Sequence, residues 1–214
     1  LLGSPAFAAA DVATFSITHD ILQYSSSSTA ADGPTQERTR LITTPNDVTI
    51  GIFWNDFGFY VTPAAAGGGV FFSYFPSSSY EVGVGAALNS AETKNVVQGE
   101  VVYSSVKSDT TSVTLYGTIY WKIKKKGSFE FTPSYTKTFE SSSQIPIGAG
   151  TEKLSDSQSD NFNLTIQYAT AIAKHFIFAP GISVDYTQTS NDISGSRIQN
   201  TTYTLKLANF RYAF

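Results

Sequence analysis

The stretch Val113-Thr114-Leu115-Tyr116-Gly117-Thr118-Ile119-Tyr120-Trp121-Lys122-Ile123 alternates between two kinds of side chain. Its odd positions are apolar or Gly, and its even positions are Thr, Tyr and Lys. Successive strand residues point to opposite faces, so a period of two describes a ribbon with one greasy face and one hydroxyl-rich face. The same rhythm returns elsewhere. Phe129, Phe131, Pro133, Tyr135 and Phe139 alternate with Glu130, Thr132, Ser134, Thr136 and Thr138. Phe162, Leu164, Ile166 and Tyr168 alternate with Asn163, Thr165 and Gln167, while Ile182, Val184 and Tyr186 alternate with Ser183 and Asp185. Phe15, Ile17 and Ile21, and then Tyr80, Val82, Val84 and Leu88, complete the set. No segment competes with a period of 3.6.

Which face meets water decides the fold class. A water-facing strand surface normally carries charge for solubility, yet here the polar face is Thr, Ser, Gly, Gln and Asn. Only 14% of the chain is charged, against about 25% in an ordinary soluble domain. The apolar face is rich in Phe, Tyr, Trp, Leu, Ile and Val, with aromatics near strand ends. That arrangement predicts a transmembrane barrel, with apolar residues toward lipid, small polar residues toward the bore and aromatic girdles at the interfaces. Helical spans are excluded, because no apolar run reaches about 18 residues. A net charge of −3 leaves no basic footprint for nucleic acid. The absence of cysteine excludes disulfides, thiolate metal sites and thiol nucleophiles.

Connections alternate in length. Short turns fall at Pro76–Ser79, Lys124–Gly127 and Lys174–His175, and long polar stretches at 25–38, 89–95, 141–160 and 188–199. Short turns on one side and long external loops on the other are the habit of outer-membrane barrels, and this places both termini on the periplasmic side. Residues 97–123 exceed one span, so that hairpin is expected to stand clear of the membrane. Residues 39–75 admit two readings. One long descending strand gives an eight-stranded antiparallel up-and-down barrel, which is the expectation. A hairpin turning at Asn55-Asp56 gives ten.

Residues 1–10 include Ala6-Phe7-Ala8, a small-x-small signal-peptidase form, and are set aside as a leader or signal remnant. The barrel domain is 11–214. The ending Phe210-Arg211-Tyr212-Ala213-Phe214 resembles the C-terminal insertion signal of bacterial outer-membrane proteins. That resemblance gives Phe210, Tyr212 and Phe214 the role of an assembly signal read by the barrel-assembly machinery. The segments 72–85 and 174–181 resemble the strand–turn–strand units of small OmpA-, OmpX- and OmpW-like barrels. Tyr203, Leu205 and Leu207 share a parity that Phe210, Tyr212 and Phe214 do not, so a bulge near Ala208-Asn209 is expected.

Five inward charges form the candidate site. Glu81 and Glu130 open ascending strands, Lys122 and Arg211 close descending ones, and Asp185 lies farther up, within reach of Tyr116 or Tyr120. A narrow bore requires buried charges to be paired. The layer therefore reads as a structural plug or as a gate whose pairs exchange partners. Inward Gly83, Gly85, Ala87, Ala169 and Ala171 leave room for a void or for facing tyrosines. Of the two histidines, His175 reads as a turn residue. His19 could pair with a Ser for acyl chemistry, but Asp20 points to the other face and cannot orient it, and the apolar parity of His19 suggests an interface position.

The expected protein is a non-enzymatic outer-membrane barrel with a closed or nearly closed bore and no cofactor or metal. It contacts outer-membrane lipid and lipopolysaccharide, and offers its external loops to a host or neighbouring-cell ligand. Two alternatives stand beside it: a narrow OmpW-like channel for small or apolar solutes, and a lipid A-modifying barrel enzyme.

Overall fold

A computed structural model describes residues 12–28, 35–41, 47–64, 67–97, 101–123, 127–146, 152–191 and 195–213. The set-aside leader, 1–10, and Phe214 of the assembly signal lie outside them. Twelve strands form: β1 (Val12–Ser28), β2 (Thr35–Leu41), β3 (Asp47–Trp54), β4 (Phe57–Ala64), β5 (Gly67–Ser77), β6 (Tyr80–Val97), β7 (Val101–Ile123), β8 (Gly127–Pro146), β9 (Glu152–Ala173), β10 (Phe176–Phe178), β11 (Gly181–Asn191) and β12 (Arg197–Ala213). Every pairing is antiparallel. β1 meets β12 over a ladder running from Thr14↔Ala213 to Ser28↔Gln199, which joins the two ends of the sheet.

Two pairs of strands are collinear. β2 and β3 both lie along β1, and β10 and β11 both lie between β9 and β12. The ring therefore has ten staves, which corrects the expected eight in favour of the hairpin at Asn55-Asp56. Asn55 has φ 51°, a left-handed conformation that Asn tolerates, and Trp54 pairs directly with Phe57 across the turn. The segment after Gly67 is long enough to be a stave because its glycines belong to the strand. Gly67, Gly68 and Gly69 pair with Ala64, Pro63 and Thr62 on one side, and with Asn89, Leu88 and Ala87 on the other.

The outer surface is apolar. Ile52, Phe59, Val82, Leu115, Ile119, Leu164 and Ile182 are all exposed on the outer face, with Trp54 and Trp121 at 66% and 67%. The inward row is polar or small: Ser73, Glu81, Thr118, Ser128, Glu130, Gln167, Ser183, Thr202 and Thr204 are buried. Ala169, Ile177 and Ala179 form a small, fully buried apolar cluster inside. A water-soluble sandwich would have these two faces reversed. In lipid, all backbone polar groups must be paired within the protein, which a closed ring of ladders achieves. These two faces are those of a transmembrane β-barrel, apolar toward lipid and polar toward the bore.

The irregularity expected near Ala208-Asn209 is present. Along β1 the register slips twice, where His19 pairs with Ala208, Asp20 with Lys206 and Leu22 with Leu205. On the other side of β12, at the same level, the β10–β11 stave is interrupted at Ala179-Pro180. There the Ala179 N–H donates to the Asn209 carbonyl (2.8 Å) and the Tyr168 N–H to the Pro180 carbonyl (2.9 Å). Thr202 and Thr204 above the slip, and Asn209 below it, are all buried, although their parities differ.

The outer end departs from expectation in kind. Most of the polar stretches expected as loops are strand. β6 and β7 stay paired out to Val97↔Val101, and β8 and β9 to Gln144↔Glu152. β6 to β9 thus form a sheet that projects past the apolar belt. β-branched Thr and Val suit a pleated surface, and the ladder continues where lipid no longer demands it. On this projecting sheet the Ser90 hydroxyl donates to Asp109 (2.6 Å), Lys107 lies 2.9 Å from the same carboxylate, and Ser108 donates to Glu140 (2.7 Å). The Ser90 bond first, and the Lys107 contact second, hold the Asp109 carboxyl below its usual range.

Candidate functional site: a polar layer across the bore

The site is built on inward positions near the end of the ring where the short turns lie. Arg211, on β12, donates through Nη1 and Nη2 to the two oxygens of Glu130 on β8, at 3.0 and 2.7 Å. Its Nη2 also donates to Gln167 Oε1 on β9, at 2.8 Å. This two-pronged contact is the strong form of a charged hydrogen bond. Glu130 is 4% exposed and sits directly beside Tyr120 in the β7–β8 ladder.

Tyr120 opens the second half of the layer. Its hydroxyl donates to Glu81 Oε2 at 2.5 Å. The other oxygen of Glu81 accepts from Ser73 Oγ at 2.6 Å and from the Tyr60 hydroxyl at 3.2 Å. Ser73 Oγ and the Tyr116 hydroxyl share a further hydrogen bond. Three hydroxyl donors, from Ser73, Tyr60 and Tyr120, thus satisfy the Glu81 carboxylate. Glu81, Tyr120 and Glu130 run contiguously over three neighbouring staves, so the layer stretches from β4 to β12.

Aromatics and small residues fill what remains. Phe53 packs edge-on against Tyr60 (5.4 Å between ring centroids) and lies 5.7 Å from Phe75, which is buried. Gly83 and Gly85 leave no void. A Cβ on Gly83 would fall 2.3 Å from the Tyr116 ring, and one on Gly85 would fall 2.0 Å from the Phe71 ring. Aromatics from neighbouring staves occupy the space those glycines vacate.

Two of the five expected charges lie elsewhere. Lys122 is exposed and donates to Ser78 Oγ at 3.0 Å. It shares the inward parity, but it stands one step beyond Tyr120 at the rim, where its long stem carries the ammonium out to water. Asp185 accepts from Asn163 Nδ2 (2.5 Å) on the adjacent stave and does not meet Tyr116 or Tyr120, which turn toward Ser73 and Glu81. Above the layer, Asp185 belongs to a series of short cross-strand bonds that includes Thr118–Thr132 (3.1 Å), Thr114–Thr136 (2.9 Å) and Asn161–Thr187 (2.7 Å). Sequence parity missed Tyr60, Ser73 and Gln167 as partners. Their inward facing was readable, but which staves the curvature brings together was not.

His19 pairs with Ala208 on the closing ladder, and its side chain lies outside the described residues. His175 stands in the turn after β9, 5.9 Å from the Tyr212 ring. Phe210 and Tyr212 of the expected assembly signal lie on β12, where their rings pack at a tilt against Phe178 (5.3 Å between centroids) and Phe176 (4.8 Å). Among the described residues, no group of three or more metal-ligating side chains occurs.

No protein-family model matches the chain, and no curated protein matches it by sequence. Solved structures similar to it are outer-membrane barrels. The beta domain of the Bordetella autotransporter BrkA is 11% identical, with a TM-score of 0.47 over 96% of this chain and 100% of that one. Ail, the attachment invasion locus protein of Yersinia pestis, in complex with the heparin analogue sucrose octasulfate, is 12% identical, with a TM-score of 0.42 over 95% and 99%. The outer membrane protease OmpT from Escherichia coli is 7% identical, with a TM-score of 0.40 over 95% and 97%.

Proposed function

We propose that this protein is a non-enzymatic, closed-bore barrel that holds a polar recognition surface on the outside of the cell. Its short turns and both termini face the periplasm, and the projecting β6–β9 sheet faces outward. In this reading, lipid and lipopolysaccharide surround the belt, the barrel-assembly machinery inserts it through its aromatic ending, and a host or neighbouring-cell ligand meets the outer end. The observation that carries the reading is the layer from Tyr60 to Arg211. Its two carboxylates are 6% and 4% exposed, and donors from β4, β5, β7 and β12 saturate them. A fixed, satisfied network blocks a bore better than it gates one, because exchange of partners would leave a buried charge unpaired in transit.

Planar-bilayer recording tests this. The intact protein is expected to give no steady unitary current at neutral pH, and the double variant Glu130→Ala/Arg211→Ala is expected to open one. Steady currents from the intact protein would move it to the narrow-channel class. Release of acyl chains from purified lipopolysaccharide, lost on His19→Ala, would move it to the lipid-modifying enzymes.

A further inference from the structure

Two charges of opposite sign sit on the outer, lipid-facing surface. Lys137 of β8 lies directly across from Asp160 of β9, and on its other side across from Val113 of β7. Lys137 shares the outward parity of Tyr135 and Phe139, and Asp160 that of Phe162 and Leu164. Val113, Phe139, Phe162 and Leu164 are all exposed there. Tyr135 and Phe162 form a ring pair one outward step below the two charges (5.0 Å between centroids), and Phe139 stands one step above. The pair therefore belongs to the outer fringe of the apolar belt, where hydrocarbon gives way to headgroups. A charge on the lipid face of a barrel is costly at the midplane and costs little at this level.

The geometry is fixed from both sides. Lys137 Nζ donates to both oxygens of Asp160, at 3.1 Å each, and lies 5.8 Å from the centre of the Phe139 ring. The Tyr135 hydroxyl donates to Asp160 Oδ1 at 2.6 Å. The two side chains stay 28% and 39% exposed, so both charges are open toward lipid. An ammonium has three donors and a carboxylate about four acceptor sites, more than these contacts use. An anionic headgroup gains little here, because Asp160 repels a phosphate about as strongly as Lys137 attracts it. A headgroup that carries both signs gains at each end. Its phosphate accepts from Lys137, its primary ammonium donates to Asp160, and the four charges alternate in sign. A quaternary ammonium has no N–H to give the carboxylate.

We infer that the Lys137–Asp160 pair docks a phosphoethanolamine headgroup at the outer rim of the belt. The inference rests on the reading above that lipid surrounds the belt. Such a headgroup reaches the rim on a glycerophospholipid or as a substituent of lipopolysaccharide. The test places the full chain in nanodiscs of phosphatidylethanolamine, phosphatidylcholine and phosphatidylglycerol, in equal parts and with the same acyl chains. After mild detergent extraction, the lipid that stays with the barrel is counted by mass spectrometry. Phosphatidylethanolamine is expected to exceed each of the others about threefold, within the strength of a surface ion pair.

The variants fix the sign. Lys137→Gln with Asp160→Asn is expected to return retention to the bulk ratio, while heat-modifiable migration is kept. Asp160→Asn alone leaves a cation unbalanced and is expected to turn the preference to phosphatidylglycerol. The exchange Lys137→Asp with Asp160→Lys keeps both signs and is expected to keep the ethanolamine preference. Lys107 and Asp109 form a like pair on β7, but stand four to six residues beyond Val113, or about 13–20 Å farther along the strand. Neutralising that pair is expected to change nothing. A parallel arm with lipopolysaccharide bearing or lacking phosphoethanolamine separates the two sources.

Bulk ratios in the intact protein, equal retention of phosphatidylcholine, or a preference for phosphatidylglycerol would overturn the inference. So would an unchanged ratio in Asp160→Asn, or loss of the preference on neutralising Lys107 and Asp109. Bilayer conductance is read separately. A conducting barrel that still retains phosphatidylethanolamine defeats the closed-bore reading and leaves this site standing.

Discussion

Glu130 is 4% exposed and grips Arg211 through two hydrogen bonds, so removing either group strands the other in the bore. Glu130→Ala is expected to lower unfolding stability by about 3 kcal/mol, the usual cost of breaking a buried pair from one side. Trp54 and Trp121, both on the lipid face, supply the fluorescence signal for a urea titration in vesicles; an unmoved midpoint would mean that water already solvates the pair. A second substitution probes packing. On Gly85 a new Cβ would lie 2.0 Å from Phe71 Cδ1 and 2.8 Å from Cγ, at the root of a ring that has little freedom to swing. Gly85→Ala is therefore expected to cost about 1–3 kcal/mol as overpacking. Gly117→Ala is the control, since its nearest neighbour would be 3.4 Å away and no loss should appear in the same titration. At this scale the inward carboxylates and Arg211 were readable, because a charge on the polar parity near a strand end can only face the bore. Lys122 was misplaced by the same rule, which takes no account of stem length.

Among the elements, the β3–β4 hairpin decides the architecture. Its turn rests on Asn55 at φ 51°, a region that a β-branched residue reaches only under strain. Asn55→Val is expected to lower stability by about 1–2 kcal/mol, seen as an earlier heat-modification midpoint on gels, while Asn55→Gly should hold or raise it. Equal midpoints for the two variants would show that the turn does not limit the hairpin. The apolar alternation on either side of this turn was visible in the sequence, as was the Asn-Asp pair. The run Gly67-Gly68-Gly69 was the obstacle, because glycine weakens a strand signal. Only pairing on both flanks, with 62–64 and with 87–89, shows that these glycines are strand. The projecting β6–β9 sheet was half visible: its length was legible, but its polar ends read as loops.

For the whole molecule, the seam between β1 and β12 determines whether a curled sheet becomes a barrel without edges. The chain has no cysteine, so an engineered pair reports the seam cleanly. Gln23 faces Thr204 and Tyr24 faces Tyr203 across the ladder. One of these neighbouring pairs is of the non-hydrogen-bonded kind, whose closer Cα approach suits a disulfide. Cysteines at Gln23/Thr204 or at Tyr24/Tyr203 are expected to crosslink on mild oxidation in folded, membrane-inserted protein. A control offset by two residues, Gln23 with Thr202, should not. Crosslinking of the control alone would place the register elsewhere and reopen the stave count.

What the sequence determined by itself is the character of each ribbon. Alternation is a property of one strand's own geometry, so the greasy outer face, the hydroxyl-rich inner face and hence the membrane as solvent were all readable without any partner. Ring closure decided the rest. Whether 39–75 makes one stave or three, which hydroxyls reach Glu81, and that Arg211 on the last strand spans to Glu130 on β8 depend on curvature and register between segments far apart in the chain. No local period encodes those distances, because they exist only once every strand has taken its place.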